Sequence, residues 1–256
     1  MPLRSHHRVI NWLRWLQVTT LRIGANEILM LTALLIVVLG TWGFVELTGN
    51  VLQGSTQGFD QWAVDSFHEL VNRYVPLPER EVDQIMMDIS ALGGPTVLAL
   101  VVLAVLGYLV LEKRRNALFL VLSATAGGLL LAWGLKEIIA RPRPDALGRL
   151  QLTYLSSFPS GHSLLSVIIY PTLGTLLARV VTRKRLKLYF LLVGLTVSGM
   201  VGLSRVYLRV HFPTDVLAGW AVGLAWAALC WTVTKWLQRR GAVEGGEDER
   251  VLYQAD

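Results

Sequence analysis

The chain has 256 residues, of which 53% are hydrophobic and only 16% charged, and its mean hydropathy of +0.49 excludes intrinsic disorder and an ordinary soluble domain. One cysteine, Cys230, excludes an intramolecular disulfide framework and a cysteine-rich metal site. The net charge of +6 comes from Lys and Arg that lie between apolar blocks and form no single basic face. A lipid bilayer, and not nucleic acid, is therefore the expected partner.

The first 27 residues are basic and contain Val9, Trp12, Leu13 and Leu16 at helical spacing. This pattern predicts a cytoplasmic interfacial segment over residues 1–27 that lies on the inner leaflet, although a frayed amphipathic terminus fits equally well. No small-residue cleavage site follows a short apolar core, so we expect no cleavable signal. The first apolar stretch is expected to remain as a membrane anchor.

A membrane-spanning helix needs about 20 mostly apolar residues, because hydrocarbon cannot satisfy backbone polar groups. Several stretches fit this requirement, and they predict an all-α fold, a six-transmembrane helix bundle in one membrane domain over residues 1–240. The predicted spans are residues 28–45, 95–111, 117–135, 163–181, 188–203 and 216–237.

Two segments fall outside these spans. Residues 48–92 are expected to form an outer cap loop with short helices, since Phe59, Trp62, Ala63, Phe67 and Leu70 repeat with a helical period. Residues 241–256 are polar, acidic and poor in aromatic residues, which predicts a disordered tail.

The distribution of basic residues predicts the orientation, because short cytoplasmic loops accumulate Lys and Arg. Fifteen of them lie before the first span, in the links 112–116 and 182–187, and in the tail, whereas eight lie in the segments on the opposite side. Both termini are therefore predicted to be cytoplasmic, in a bacterial-type plasma (inner) membrane.

Polar residues gather at three places beside the predicted spans, where ionisable side chains are costly unless they serve a function. The third span ends with the sequence KEIIARPRP from Lys136, and the fourth begins with FPSGHS from Phe158. The fifth and sixth spans are joined by SRVYLRVHFPTD from Ser204. Because consecutive spans alternate in direction, all three segments are expected to meet at the extracytoplasmic face.

These segments contain the parts of a phosphate-binding site. Lys136, Arg143 and Arg205 supply fixed positive charge, and arginine forks suit a tetrahedral oxyanion. Pro159 is favourable at the start of a helix, so the three residues that follow it are expected to present free backbone N–H groups to an anion.

The same segments contain a pair of histidines. His211 and Asp215 are four residues apart, so the carboxylate can approach the imidazole if a helix starts near Pro213. A carboxylate on one ring nitrogen fixes the tautomer and leaves the other nitrogen free to attack. His162 is then the second proton-transfer group. Taken alone, either histidine is more often an interfacial hydrogen-bonding residue, and the spacing across three segments is what favours catalysis.

Together the three segments resemble the signature of the type 2 phosphatidic acid phosphatases (PAP2), which reads Lys-x6-Arg-Pro, Pro-Ser-Gly-His and Ser-Arg-x5-His-x3-Asp. Every specified position is present in order and spacing between residues 136 and 215. The six-span layout is similar to the integral membrane branch of the family over most of the chain, and the loop around Asp60 and Trp62 is loosely similar to it.

This resemblance implies a role for each signature residue. His211 is the implied nucleophile that takes up the phosphoryl group, Asp215 orients it, and His162 protonates the leaving oxygen. The implied mechanism needs no metal and no cofactor, because cations and helix N–H groups can stabilise the transferring group. The implied ligands of the phosphoryl oxygens are Lys136, Arg143, Ser160, Gly161 and Arg205.

Two residues depart from the usual pattern of the family. Arg209 occupies a position where many members have a small residue, and Phe212 replaces a frequent tryptophan. Both could alter how a lipid headgroup is read. For Arg209, and also for Arg141 and Arg149, the favoured interpretation is a side chain that snorkels to the headgroups, which is the commoner use of a basic residue at a helix end.

The expected function is metal-independent hydrolysis of a membrane lipid phosphate or diphosphate through a phosphohistidine. Undecaprenyl diphosphate, phosphatidylglycerol phosphate and phosphatidic acid all fit, and the outward-facing site favours the isoprenoid diphosphate by a small margin. A lipid phosphotransferase with the same phosphohistidine is an alternative, and an anion transporter or channel without chemistry is another. The sequence leaves the oligomeric state open.

Overall fold

A computed structural model describes residues 4–139, 141 and 156–239, and side chains from Glu27 to Gln238 within those ranges. The predicted tail at 241–256 lies outside the described residues, as do the side chains of the predicted interfacial segment. The described part of the chain is all-helical. Its helices are α1 (Arg4–Leu52), α2 (Gln57–Tyr74), α3 (Glu79–Ala91), α4 (Pro95–Leu111), α5 (Arg115–Ile138), α6 (Gly161–Val180), α7 (Lys184–Tyr207) and α8 (Pro213–Arg239).

Most of these helices can cross a membrane. Five helical segments are long and apolar enough, namely Glu27–Leu52 of α1, α5, α6, α7, and Pro213–Gln238 of α8. A sixth span exists if α3 and α4 are taken as one helix that bends by 41° between Ala91 and Pro95. The prediction of an all-α membrane bundle is confirmed, and the residues that the structure describes contain five or six candidate spans. The difference from the prediction arises because α4 alone has 17 residues.

Helix α6 lies at the centre of the bundle. Half of the residues in its most apolar stretch are buried inside the protein, compared with 6% of those in the corresponding stretch of α1. Two glycines of neighbouring helices allow this close packing: a side chain at Gly223 of α8 would meet Val167 and the backbone of Leu164, and one at Gly194 of α7 would meet the backbone of Tyr170. Small residues permit such approaches between membrane helices. The first half of α6 therefore packs closely against both α7 and α8.

Helices α2 and α3 lie within the segment that was expected to form a cap. The buried stripe of α2 consists of Asp60, Val64 and Val71. Phe59, Trp62 and Leu70, which share the helical period of this segment, are 51%, 65% and 55% exposed. The hydrophobic pattern did not reveal that the carboxylate of Asp60 takes an inward position.

Candidate active site

The first turn of α8 positions the predicted histidine–aspartate pair. Oδ2 of Asp215 accepts a hydrogen bond from the backbone N–H of Phe212 at 2.9 Å and lies 3.4 Å from Nδ1 of His211. His211 is 1% exposed and Asp215 is fully buried. A carboxylate in the first turn is also favoured by the helix dipole. The carboxylate therefore faces one ring nitrogen of His211, as its spacing predicted.

The turn between α7 and α8 folds His211 back towards Arg205. The backbone carbonyl of Arg205 accepts the N–H groups of Val210 at 3.2 Å and of His211 at 3.3 Å. This reversal requires a left-handed residue, and Arg209 takes that role with φ of +54°. The guanidinium of Arg205 donates from Nη1 to the hydroxyl of Ser90, at the end of α3, at 2.7 Å. The two signature residues of this turn, Arg205 and His211, are thus held beside each other.

The start of α6 is joined to the start of α8. The N–H of Ser160 donates to the backbone carbonyl of Asp215 at 2.9 Å, so it is not the free donor that the sequence predicted. The hydroxyl of Ser160 caps α6 by accepting from the N–H of Ser163 at 3.5 Å and from its hydroxyl at 3.0 Å. Gly161 and His162 form the first turn, where backbone N–H groups have no acceptor within the helix.

Two close approaches bring α5 and the junction between α3 and α4 to this helix start. Nζ of Lys136 lies 3.7 Å from the position that a Cβ on Gly161 would occupy. A Cβ on Gly93 would lie 3.2 Å from the Cβ of His162. Glycine at both positions therefore lets neighbouring groups approach the first turn of α6, one of them a cation.

Arg141 forms the most extensive group of charged contacts at the site. Its Nη1 donates to Oδ1 of Asp215 at 2.5 Å and to the hydroxyl of Thr214 at 2.8 Å, while Nη2 donates to Oδ2 of Asp60 at 2.7 Å. The guanidinium carbon lies 4.5 Å from the ring centroid of Phe212. The interpretation of Arg141 as a snorkelling residue is wrong, because its side chain is only 10% exposed and pairs with two buried carboxylates.

The backbone around Arg141 is also fixed. Its N–H donates to the hydroxyl of Ser156 at 3.0 Å, and its carbonyl accepts the N–H of Ser157 at 3.0 Å. The chain thus returns beside Arg141 just before it enters α6. The remaining predicted phosphate ligand, Arg143, lies outside the described residues, as do Pro142, Pro144 and Arg149.

The structure therefore brings together the described parts of all three signature segments at the ends of α5 and α7 and the starts of α6 and α8. Sequence reasoning missed Asp60, Thr214 and Ser90. Asp60 left a faint signal, since it lies four residues before Val64 on the buried stripe of α2. Ser90 left none. Within the described residues, no three His, Cys, Asp or Glu side chains converge in a way that could hold a metal ion.

Comparison with known proteins gives consistent matches. The PAP2 superfamily model matches residues 116–239. Phosphatidylglycerophosphatase B of Bacillus subtilis is 34% identical over 166 residues, which cover 63% of this chain and 80% of that protein. A PA-phosphatase related-family protein of Dictyostelium discoideum is 38% identical over 82 residues, which cover 30% of this chain and 22% of that protein.

A solved structure is similar as well. The crystal structure of a transmembrane PAP2 type phosphatidylglycerolphosphate phosphatase from Bacillus subtilis superposes with a TM-score of 0.68 at 27% identity. The superposition covers 78% of this chain and 96% of the other. The likeness thus extends beyond the signature segments to the arrangement of the helices.

Proposed function

The chain belongs to the PAP2 superfamily and is a multi-pass membrane lipid phosphatase, and from this premise we propose that His211 is the nucleophile of a phosphohistidine mechanism. The observation that supports this proposal is the 3.4 Å approach of Asp215 Oδ2 to Nδ1 of His211. A carboxylate at Nδ1 stabilises the tautomer whose Nε2 lone pair is free, and it also stabilises the positive charge that the ring gains on attack.

The reaction proceeds in two steps. Nε2 of His211 attacks phosphorus, the bond from phosphorus to the lipid oxygen breaks, and His162 donates a proton to that oxygen. A water molecule then attacks the phosphohistidine, His162 accepts its proton, and the phosphorus–nitrogen bond breaks to release phosphate and restore His211. Each proton transfer of this kind contributes roughly 10² to 10⁴ in rate.

The other signature residues bind the phosphoryl group in this proposal. Cations and N–H donors stabilise the charge on its equatorial oxygens, so the chemistry proceeds without a metal ion. The hydroxyl of Ser160 has both of its acceptor positions used by Ser163, which leaves its own hydrogen to donate. The proposed ligands are Lys136, Arg143, Ser160, Gly161 and Arg205.

We further propose that the site faces outward. It lies at the end of α5 and the start of α6, whereas the basic links at 112–114 and 181–183 lie at the other end of these helices. Since basic links favour the cytoplasmic side, the site is expected at the extracytoplasmic face. Both termini are then cytoplasmic if α3 and α4 together form one span.

The proposed substrate is a lipid phosphate that enters from the bilayer. The matched Bacillus subtilis protein and the matched Bacillus subtilis structure both carry the name of a phosphatidylglycerophosphate phosphatase. Phosphatidylglycerophosphate is therefore the first candidate substrate. This replaces the small preference for an isoprenoid diphosphate that the sequence suggested. Undecaprenyl diphosphate and phosphatidic acid remain in the test panel.

The proposal is tested with the full chain purified in detergent and assayed, with chelator present, for phosphate release from these three lipids. We expect release of phosphate equal to the substrate consumed. His211→Ala should lower kcat by at least about 10³, because it removes the nucleophile. His68→Ala is the matched control, since this histidine stacks on Tyr207 of α7 with ring centroids 4.9 Å apart and has no role in the proposal.

A brief incubation with phosphorus-labelled lipid tests the intermediate. The label should remain on the denatured wild-type protein in alkali and be lost in acid, as for a phosphoramidate, and His211→Ala should carry none. Full activity of His211→Ala, or loss of wild-type activity with the chelator, would contradict the mechanism. Phosphate release below substrate consumption would instead indicate transfer to another lipid.

A further inference from the structure

We propose that Arg141 is a positioning residue for the His211–Asp215 pair and that Asp60 of α2 holds Arg141 in place; the proposal rests on the phosphohistidine mechanism above. Arg141 lies outside the specified positions of the signature, and Asp60 lies more than 70 residues before them in the chain. Neither side chain is assigned a contact with the substrate here. Both are proposed to act through the carboxylate of Asp215.

The two oxygens of Asp215 have separate partners. Oδ1 accepts from Nη1 of Arg141 at 2.5 Å, whereas Oδ2 accepts from the N–H of Phe212 and faces Nδ1 of His211. With Oδ1 held by the guanidinium, the carboxylate cannot rotate without breaking a charge-assisted hydrogen bond. Arg141 therefore fixes the direction in which Oδ2 points, and through it the orientation of the imidazole.

Asp60 fixes Arg141 in turn. Its Oδ2 accepts from Nη2 of Arg141 at 2.7 Å and from the hydroxyl of Thr214 at 2.7 Å, and its Oδ1 accepts from the N–H of Thr214 at 3.2 Å. The same hydroxyl of Thr214 accepts from Nη1 of Arg141. The guanidinium is thus held at both ends of its fork. Helix α2, which contributes no signature residue, is in this way bonded directly to the first turn of α8.

Charge explains why this arrangement matters for the reaction. Asp60 and Asp215 are both fully buried and both contact the guanidinium of Arg141, and their carboxylates would repel each other without a cation between them. Arg141 supplies that cation. It holds the carboxylate of Asp215 in place, and it offsets part of the negative charge that the two carboxylates place beside His211.

A purely structural role for these residues makes a different prediction. If they only fasten α2 to the bundle, removal of either one lowers stability and leaves the protonation of His211 unchanged. If instead Arg141 and Asp60 set the electrostatic field at His211, removal of Arg141 and removal of Asp60 move the acid limb of the pH profile in opposite directions. The contacts described above place these charged or titratable side chains at or beside the site: Asp60 and Asp65 of α2, Lys136 of α5, Arg141, His162 of α6, Arg205 of α7, Arg209, and Asp215 of α8.

The test measures kcat/KM against pH for the full chain in detergent, with phosphatidic acid as a defined substrate. The acid limb reports protonation of free His211, which must be neutral to attack. Arg141→Gln removes a positive charge, so the limb should move up by about one pH unit, and Asp60→Asn should move it down by a similar amount. We expect kcat to fall about 100-fold in Arg141→Gln and about 10-fold in Asp60→Asn, with KM changed less than about threefold.

Asp65→Asn is the matched control, because Asp65 lies on the same helix and its pair with Arg209 is half exposed. The acid limb of the pH profile and kcat of Asp65→Asn should equal those of the wild type. In the double variant Asp60→Asn/Arg141→Gln, kcat should equal that of Arg141→Gln alone, since Asp60 positions the imidazole through Arg141. The acid limb should return towards its wild-type pH, since the two changes in charge oppose each other. Folding of each variant is checked by thermal unfolding and by gel filtration. If Arg141→Gln does not fold, Arg141→Lys replaces it, and its kcat should fall while the limb stays within about 0.3 pH unit of wild type.

The proposal is overturned if the acid limb of the pH profile does not move in folded Asp60→Asn and Arg141→Gln. It is also overturned if the limb moves in the same direction in both variants. A fall of kcat in Asp60→Asn that is undiminished in the background of Arg141→Gln overturns it as well. Failure of the phosphohistidine mechanism itself gives a different result, because His211→Ala then retains activity whatever these variants do.

Discussion

The two sides of the active site are built differently. On the carboxylate side, which comprises Asp60, Arg141, Thr214, Asp215 and His211, acidic and basic groups pair with one another inside the protein. The phosphate side comprises Lys136, Gly161, His162, Arg205 and Ser90. There the guanidinium of Arg205 donates to the neutral hydroxyl of Ser90, and the ammonium of Lys136 lies beside Gly161. In the proposed mechanism the carboxylate side orients the nucleophile, whereas the phosphate side provides the cations and N–H groups that bind the phosphoryl oxygens.

The supports of the two sides also differ. The carboxylate side is joined to α2 by charged hydrogen bonds, and the phosphate side is bordered by the bend between α3 and α4. Ser90 ends α3, and Gly93 lies in the bend against His162. The bend places backbone beside the site at a point where an unbroken helix would place side chains. A change in the bend should therefore affect the phosphate side and spare the other.

The largest of these effects is expected for Gly93→Ala. The added methyl group would overlap Cγ1 of Val201 and lie 3.2 Å from the Cβ of His162, so the bend or His162 must move. Overpacking costs about 1–3 kcal/mol of stability, and a shift of about 1 Å at a catalytic group can lower kcat about 100-fold. We expect both losses, measured by thermal unfolding and by phosphate release.

Two further variants make this prediction specific. Gly107→Ala on α4 is the matched control, because a Cβ there meets nothing within 4 Å and should leave kcat and stability unchanged or slightly improve stability. Adding Val201→Ala to Gly93→Ala removes the overlap and should restore part of kcat. Unchanged kcat in Gly93→Ala would show that the bend does not position His162.

A smaller effect is expected for Ser90→Ala. This change removes the acceptor of the 2.7 Å hydrogen bond from Arg205 Nη1, and a bond to a charged group is typically worth about 1.5–3 kcal/mol. If the bond aims Arg205 at the phosphoryl group, inhibition by vanadate should weaken roughly tenfold. The acid limb of the pH profile should not move, since the carboxylate side is intact.

The control for this variant is Ser123→Ala on α5, whose hydroxyl donates to the carbonyl of Leu120 at 3.1 Å. Ser123 lies about three and a half helical turns from Lys136. The inhibition constant of Ser123→Ala should equal that of the wild type. A loss of vanadate affinity as large as that of Ser90→Ala would show that the effect comes from general loosening of the bundle.

The sequence predicted one side of the site better than the other. The phosphate side is built from short motifs whose spacing is visible, and apolar stretches of about 20 residues gave the membrane helices because hydrocarbon imposes that length. The role of Arg141 was mistaken because a basic residue near a helix end looks the same whether it snorkels or is buried. Only Asp60, 81 positions away in the sequence, distinguishes the two cases. The bend at Gly93 was likewise invisible, since its meaning depends on His162 and Val201 lying beside it.

The smallest effect is expected for Arg209, whose pair with Asp65 is the exposed counterpart of the pair between Arg141 and Asp60. The charged atoms lie 3.4 Å apart, with side chains 35% and 52% exposed, and such surface pairs contribute about 0.2–1 kcal/mol. Arg209→Ala and Arg209→Gly both remove the pair, but only glycine adopts φ of +54° freely. Because a left-handed non-glycine residue costs about 1–2 kcal/mol, and 1 kcal/mol shifts the unfolding temperature of a chain this size by about 2–4 °C, Arg209→Gly should unfold about 2–8 °C above Arg209→Ala. Phosphate release from all three lipids should stay within about twofold of the wild type. A selective loss on one lipid in both variants would show instead that the guanidinium reads the headgroup, and that an exposed pair with α2 contributes to specificity as the buried pair is proposed to contribute to catalysis.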